Sequence, residues 1–333
     1  MIAGLVEGIR PRTLIGLVAL LVLLIGAPLV AGDYVLTVLI LILYFAYLGQ
    51  AWNIMMGFAG QLSLGHALYV GLGAYTAAAL FVHFGVGPWL GLLVAVPVAA
   101  AAGAFIGFLA FRFRIAGVYF VILTIAVAEF ARVGFEHLTW TGATAGLFLP
   151  VAQYAHNDVW NLRGHPVMFY YVLLAATALA FVACRALLQS RVGYFWLAIR
   201  EDEQAARAVG IDTLRYKMIA VTISAGMAAF AGVIYAFYYN NLFPEQVFNI
   251  SQSILIVLAP FVGGLGTLFG PILGAFVIEM VAEGMRLLLQ WLGIDLPGTN
   301  QLFFGVVLLL VVIALPEGVW PWLCRRIGME QKQ

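Results

Sequence analysis

The chain is a succession of long apolar stretches with few polar residues inside them. They lie at 13–31, 34–56, 66–84, 88–110, 115–135, 166–187, 214–239, 252–269, 270–290 and 301–322. About 20 consecutive apolar residues let an α-helix cross the hydrocarbon core of a bilayer, so the pattern predicts an all-α, polytopic membrane protein of about ten spans. The run 252–269 is the weakest. Pro260, Gly263, Gly264 and Gly266 make it read as a broken or partial span. Gly-rich interruptions at 57–75 and 260–274 fall at equivalent ends of their spans, which fits a five-plus-five inverted repeat poorly. Residues 1–31 read as a retained first span, because the apolar run is longer than the core of an ordinary leader and no small-residue cleavage pattern precedes Gly32.

Composition narrows the class. Of 333 residues, 64% are hydrophobic and 9% charged, against about 25% charged in a soluble domain. A soluble enzyme, a disordered protein and a nucleic-acid binder are excluded, and the bilayer is the main solvent. Cys184 and Cys324 give neither a disulfide framework nor zinc spacing, and no second histidine stands at ligand spacing from His66, so no metal is expected.

Net charge is +1, and its distribution is more informative than its size. With ten spans, all of the 16 basic residues except Arg132, Arg163 and Arg286 fall on one side. By the positive-inside rule that side is cytoplasmic, which places both termini inside. The chain then reads as one transmembrane domain over 1–333. It has a long external loop, 136–165, and a charged cytoplasmic loop, 188–213. Trp140, Trp160, Trp291, Trp320 and Trp322 stand near span ends, as interfacial aromatics do.

The cytoplasmic loop predicts a short helix between two spans. Glu201, Asp202 and Glu203 crowd its first turn, Glu203 and Arg207 are spaced i,i+4, Gly210 followed by Ile211 suits a helix stop, and Asp212 can cap the next span. Such a helix either docks a cytoplasmic partner or is simply a solvated connection. Inside the spans, polar groups are few, since a charge at the centre of a membrane helix costs about 2.5–3.5 kcal/mol. Glu129, Arg132 and Glu136 form a one-turn ladder. Glu283 pairs with Arg286 by spacing, and Glu279 has no local partner. Asn53, Gln61, Ser63 and His66 cluster around the first Gly-rich interruption, where freed backbone groups need protein or water. These six, Asn53, Gln61, Ser63, His66, Glu129 and Glu279, are the candidate pathway residues. Structural alternatives stand beside each: close helix packing for 57–66 and an ion pair pinning a helix end for Glu129.

Four segments, in order along the chain, resemble one family. They are Gly57-Phe-Ala-Gly-Gln-Leu-Ser-Leu-Gly-His66 with Gly73-Ala-Tyr75; Thr124-Ile-Ala-Val-Ala-Glu129; the loop Ser190-Arg-Val-Gly through Ala198-Ile-Arg-Glu-Asp-Glu-Gln-Ala-Ala206, Gly210-Ile-Asp212 and Tyr216-Lys217; and Gly263-Gly-Leu-Gly-Thr-Leu-Phe-Gly-Pro271 with Gly274-Ala275. Together they resemble the LivM-type permease subunit of branched-chain amino-acid ABC transporters. One segment departs from the pattern. The external Thr-Gly-Gly-x-x-Gly-Leu expected of the family reads Thr141-Gly-Ala-Thr-Ala-Gly-Leu147 here, which leaves Thr141, Gly142 and Gly146 as a candidate gate or external loop and opens the question of substrate.

The resemblance implies half of a translocation pathway in a bacterial inner membrane, completed by a second homologous permease. It also implies two cytoplasmic ATP-binding subunits and an external substrate-binding protein. Arg200, Glu201, Asp202, Glu203, Ala205, Ala206 and Gly210 would form the ATPase-coupling segment. No enzymatic activity or cofactor is expected in this chain. It carries no G-x-x-x-x-G-K-[ST] sequence, and Gly263-Gly-Leu-Gly266 lacks the phosphate-binding lysine, so ATP and magnesium would sit in the partners. The expected cargo is a branched-chain or other hydrophobic amino acid. The alternatives are urea, short amides or aromatic acids on the same machinery, and an ion-coupled transporter using Glu129 and Glu279.

Overall fold

The computed structural model describes residues 23–29, 31–150, 158–293, 305–306, 308–310 and 313–327. The first expected span, 13–31, lies largely outside them, and the last, 301–322, is described only in part. Along the chain come α1 (Asp33–Asn53), continued by a π turn (Ile54–Phe58), α2 (His66–Phe84), α3 (Pro88–Arg112) and α4 (Val118–His137). After β1 (Leu147–Phe148) follow α5 (Pro166–Leu188), α6 (Arg191–Glu201), α7 (Glu203–Ala208) and α8 (Thr213–Tyr239). β2 (Asn241–Leu242), α9 (Pro244–Val247), α10 (Ile250–Gly263), α11 (Gly270–Trp291) and α12 (Val319–Ile327) complete the described elements.

In hydrocarbon every backbone N–H and C=O must be paired within the chain, which is why apolar runs of this length become helices. Seven candidate spans among the described residues are long and apolar enough to cross a membrane. α11 is as long as these but carries Glu279, Glu283 and Arg286. Helix ends follow local chemistry. Pro88 and Pro166 sit in first turns, where a missing N–H costs nothing. α2 stops at Gly85, with Gly85 N bonded to Phe81 O and Val86 N to Leu80 O. The run 252–269 is broken as expected: α10 ends at Gly263, and 264–269 form a turn in which Gly264 (φ 126°) and Gly266 (φ 74°) take backbone angles that a helix cannot continue.

α1 and α8 form the core. α8 packs on α2 and α3, and α1 packs on α5, α10 and α11. The α2–α8 seam is lined by small residues: Ala74, Ala77, Ala78, Ala225, Ala228 and Ala229 are buried. There a Cβ on Gly232 would stand 2.0 Å from Val70 O, and one on Gly73 2.3 Å from Ala229 O. Lipid gives no hydrophobic drive between helices, so such close backbone approach supplies the attraction. α4 is the outlier, with only 17% of its apolar stretch buried. Phe130, Tyr119 and Val118 point outward from it.

The bundle has two distinct ends. At one lie the bends at 59–65 and 264–269, α6 and α7, the base of α8, and α12. At the other, β1 pairs antiparallel with β2 (Leu147↔Leu242, Phe148↔Asn241), Trp89 Nε1 donates to Val159 O, and Arg163 lies buried over the rings of Phe81 and Phe237.

Candidate functional site

The first break is built around the π turn. Beyond Phe58 the chain leaves the helix and runs back into the bundle before α2 begins at His66. Its polar groups are paired individually. Gly60 N reaches Met56 O and Gln61 N reaches Met55 O. Trp52 Nε1 donates to Ser63 O (2.8 Å), Leu64 N to Thr124 Oγ1 (3.2 Å), Gly65 N to Ser63 Oγ (3.1 Å) and Ala67 N to Ser253 Oγ (2.9 Å). Gln61 Nε2 returns to Ala59 O at 3.0 Å. Irregular backbone inside a bundle is tolerated when satisfied in this way.

His66 is fully buried. Ser224 Oγ has one proton, which it donates to Ala51 O (2.7 Å), so it accepts from His66 Nε2 (2.8 Å) and fixes that tautomer. The ring therefore pins α2, α8 and α1 together. Ser224 was not legible as its partner, being 158 residues away in sequence.

Asn53 ties the first break to the second. Its Nδ2 donates to Thr267 O and its Oδ1 accepts from Gly266 N, both at 2.9 Å. A Cβ on Gly57 would stand 2.8 Å from Gly266 N. The two Gly-rich segments, far apart in sequence, are one structural object. Of the candidate pathway residues, Asn53, Gln61, Ser63 and His66 all belong to it.

The charged loop differs from expectation. It contains two helices: α6 ends at Glu201, Asp202 is extended (φ −155°, ψ 106°), and α7 starts at Glu203. The expected crowding of three acids in one first turn is thereby corrected. Glu201 closes α6 and pairs with Arg200 at 3.0 Å. Asp202 caps α7, accepting from Gln204 N and Ala205 N at 2.8 and 3.0 Å. Only Glu203 stands in the first turn of α7. The physical reason is the side chain of Asp202, which satisfies helix-start N–H groups best from outside the helix. The stop at Gly210 is as expected, with φ 91° and Ile211 N bonded to Ala206 O, and Asp212 caps α8 through Arg215 N.

Glu203 holds α7 to the base of α8. It bonds the Lys217 ammonium, while Arg207 Nη2 reaches Glu203 Oε1 (2.7 Å) and Thr213 Oγ1 (3.3 Å). Lys217 is buried and lies over Phe111. Burial alone would push the Glu203 carboxyl up, but the Lys217 hydrogen bond and charge, with Thr213 and Arg207 behind them, hold it below the usual carboxylate range. A depressed pKa contributes stability above the unfolded value and loses it as pH falls through the folded one. The tie is therefore intact at neutral pH and loosens only below the ordinary carboxylate range. Ala206 packs inward, while Ala205 and Val209 are exposed.

At the opposite end, Thr141 is buried and donates to Leu138 O at 3.0 Å. Gly142 (φ 86°) and Gly146 (φ 83°) form the bend that leads into β1. Ala143, where the resemblance anticipates glycine, has φ 49°. A left-handed residue with a Cβ costs about 1–2 kcal/mol. Ala143→Gly is expected to raise stability by about 1 kcal/mol once the added freedom of the unfolded chain is counted. A thermal-inactivation midpoint that falls would contradict this.

Glu129 lies on the outer face of α4, its side chain 55% exposed, and receives Arg132 Nε at 2.9 Å, with Glu136 on the far side of the same arginine. Glu283 receives Arg286 Nε at 3.1 Å, and Arg286 also reaches Tyr34. Glu279 is partly buried on α11 near Tyr239, and no hydrogen bond or ion pair joins it to a described residue. Neither glutamate joins the cluster around the two breaks. Among the described residues no group of histidine, cysteine and acidic side chains has the arrangement of a metal site.

Helices of this length and apolarity, with two interlocked breaks inside the bundle, define a multi-pass membrane protein. The chain belongs to the family described as branched-chain amino acid transport system / permease component, whose profile matches residues 34–312. It is 31% identical to the high-affinity branched-chain amino acid transport system permease protein LivM of Escherichia coli (strain K12), over 95% of this chain and 77% of the relative. To LivM of Salmonella typhimurium it is 29% identical over the same shares. To the autoinducer 2 import system permease protein LsrC of Enterobacter sp. (strain 638) it is 28% identical over 67% of this chain and 62% of that protein. No solved structure matches the chain. The family is one of permease components of transport systems.

Proposed function

We propose that the chain is a permease subunit of an ATP-driven importer for branched-chain or other hydrophobic amino acids, and that it forms one wall of the translocation pathway. The observation that carries the reading is the loop 190–212. In a family of permease components, it is folded as two capped helices and anchored to α8 by the ion pair of Glu203 with the buried Lys217. A merely solvated connection has no need of that anchor. The reading places the protein in a bacterial inner membrane, with ten spans and both termini cytoplasmic. The whole chain is one domain, 136–165 lies outside, and 188–213 meets the ATPases. Its partners are a second homologous permease, two ATP-binding subunits that hold ATP and magnesium, and an external substrate-binding protein. The Ala143 departure and the relative named for autoinducer 2 import keep urea, short amides, aromatic acids and other small polar solutes as alternative cargo.

The exposed position of Glu129 on the thinly covered α4 suits a wall that a second permease completes. Glu129→Gln is expected to lower uptake at least about fivefold with membrane level unchanged, a loss of about 1 kcal/mol at the transition state for transport. Unchanged uptake kinetics would leave Glu129 as a structural pin.

The first test is recovery of the tagged chain from native membranes in mild detergent. A second permease and ATPases of the Walker type are expected with it. If the chain is recovered alone and moves solute in liposomes on an ion gradient without ATP, the importer reading falls. Glu129 and Glu279 then become the coupling groups of a secondary transporter.

A further inference from the structure

The arginine at the end of α6 does not face outward like its neighbours on the loop. Arg200 Nη1 donates to Gly57 O at 2.6 Å, and Nη2 pairs with Glu201 at 3.0 Å. Its backbone presses on the first break: a Cβ on Gly60 would stand 3.2 Å from Arg200 Cα. Its head presses on the second: a Cβ on Gly266 would stand 2.6 Å from Arg200 Nη1 and 2.9 Å from Gly57 O. One guanidinium thus touches the terminal carbonyl of the first broken helix and the backbone of the second break, while its own backbone belongs to the loop. A cation at a helix C-terminus, bonded to a leftover carbonyl, is favoured both by the helix dipole and by charge assistance.

We propose that Arg200 is a positioning residue that latches both Gly-rich breaks to α6, so that movement of the loop is delivered to the breaks through one hydrogen bond. This rests on the importer reading above and gives Arg200 a different task from docking an ATPase. Movement of α6 draws the guanidinium off Gly57 O. Arg200 keeps its Glu201 partner throughout, so release breaks one charge-assisted bond and leaves no unpaired charge. With the latch off, the second break loses its contact with α6, and the Asn53 bonds to Gly266 and Thr267 still tie the two breaks to each other.

The test uses the full complex in proteoliposomes, with uptake and ATP hydrolysis measured on the same preparation. Arg200→Gln is expected to lower uptake at least tenfold while hydrolysis continues and no longer responds to the loaded binding protein. Arg200→Lys, which keeps a charged donor within reach of Gly57 O, is expected to restore coupling to within about threefold of the parent, and it carries the comparison if the glutamine variant is lost from the membrane. A second measurement needs no ATPase. In a chain with Cys184→Ala, Cys324→Ala and Thr267→Cys, alkylation by a charged maleimide added to the loop face is expected to rise at least fivefold when Arg200→Gln is introduced. Unchanged alkylation overturns the latch, as does hydrolysis that stays coupled in the glutamine variant. A complex without ATPases overturns the importer reading instead, and the alkylation comparison still judges the latch.

Discussion

Gly274→Ala is expected to destabilise the chain by about 3 kcal/mol, the upper end of the range for overpacking, and to reduce recovery of intact protein from membranes several-fold. The added Cβ would lie 1.7 Å from Ala259 O, and that oxygen belongs to the backbone of α10. A flexible side chain could move aside, but a helix must shift as a whole. The α10–α11 hairpin has no slack for this, because Gly263 and Gly270 meet just as closely across it: a Cβ on Gly263 would stand 1.7 Å from Gly270 O. Moving α10 also moves the turn 264–269 and with it the Asn53 bonds. The control is Gly284→Ala on the same helix, where nothing stands within 4 Å. There the better helix propensity of alanine is expected to be neutral or to stabilise by up to about 1 kcal/mol. Thermal inactivation of the two purified variants in one detergent decides the matter. Equal midpoints would mean that the close contacts carry little of the packing.

The second large effect concerns Glu203 and Lys217. Glu203→Lys places two ammonium groups together where one is buried, and is expected to cost about 2 kcal/mol, less than the 3–5 of a fully buried broken pair because Glu203 retains some access to water. Uptake is expected to fall at least tenfold while the chain remains in the membrane, since α7 is released from α8 but the spans are untouched. The swap Glu203→Lys with Lys217→Glu is expected to recover most of the loss. Rescue by the swap separates an internal tie from a docking contact, because a partner's surface would see reversed charge in both cases. Failure of the swap, with the single reversal still inactive, would assign Glu203 to the partner surface. Asp202→Lys is expected to fail for a third reason, loss of the two N–H bonds that cap α7.

The spans were legible because lipid makes a simple demand. The apolar run predicted at 66–84 is α2, that at 166–187 is α5 within a residue, and that at 214–239 is α8 within a residue. The stop at Gly210 and the cap at Asp212 were also legible, since both depend on neighbours in sequence. What escaped depends on distant chain. The kink at Asp202 is local, but an unbroken helix of similar propensity competes with it in the sequence, and only the Asp202 side chain's bonds to Gln204 N and Ala205 N decide for the break. Asn53 was recognised as polar in an apolar run, yet its partners lie 213 and 214 residues on. Arg200 reads in sequence as one more surface charge. Its inward direction follows from the glycines at 60 and 266, which leave room for it only after the two breaks have come together.

The π turn at Ile54–Phe58 has a consequence for how α1 can move. Such a turn houses one residue more than an α turn. If that surplus residue migrates toward the other terminus, each stretch of helix it crosses screws by about 100° and advances about 1.5 Å, with no net unwinding and no long-lived loss of hydrogen bonds. A rigid rod between the two faces of a membrane can only tilt or slide. A rod that stores a spare residue at one end can also re-index, turning a different row of side chains toward its neighbours while its ends stay in place. Asn53 stands immediately beside this reservoir, so the first row to be exchanged would be the one that holds the two breaks together.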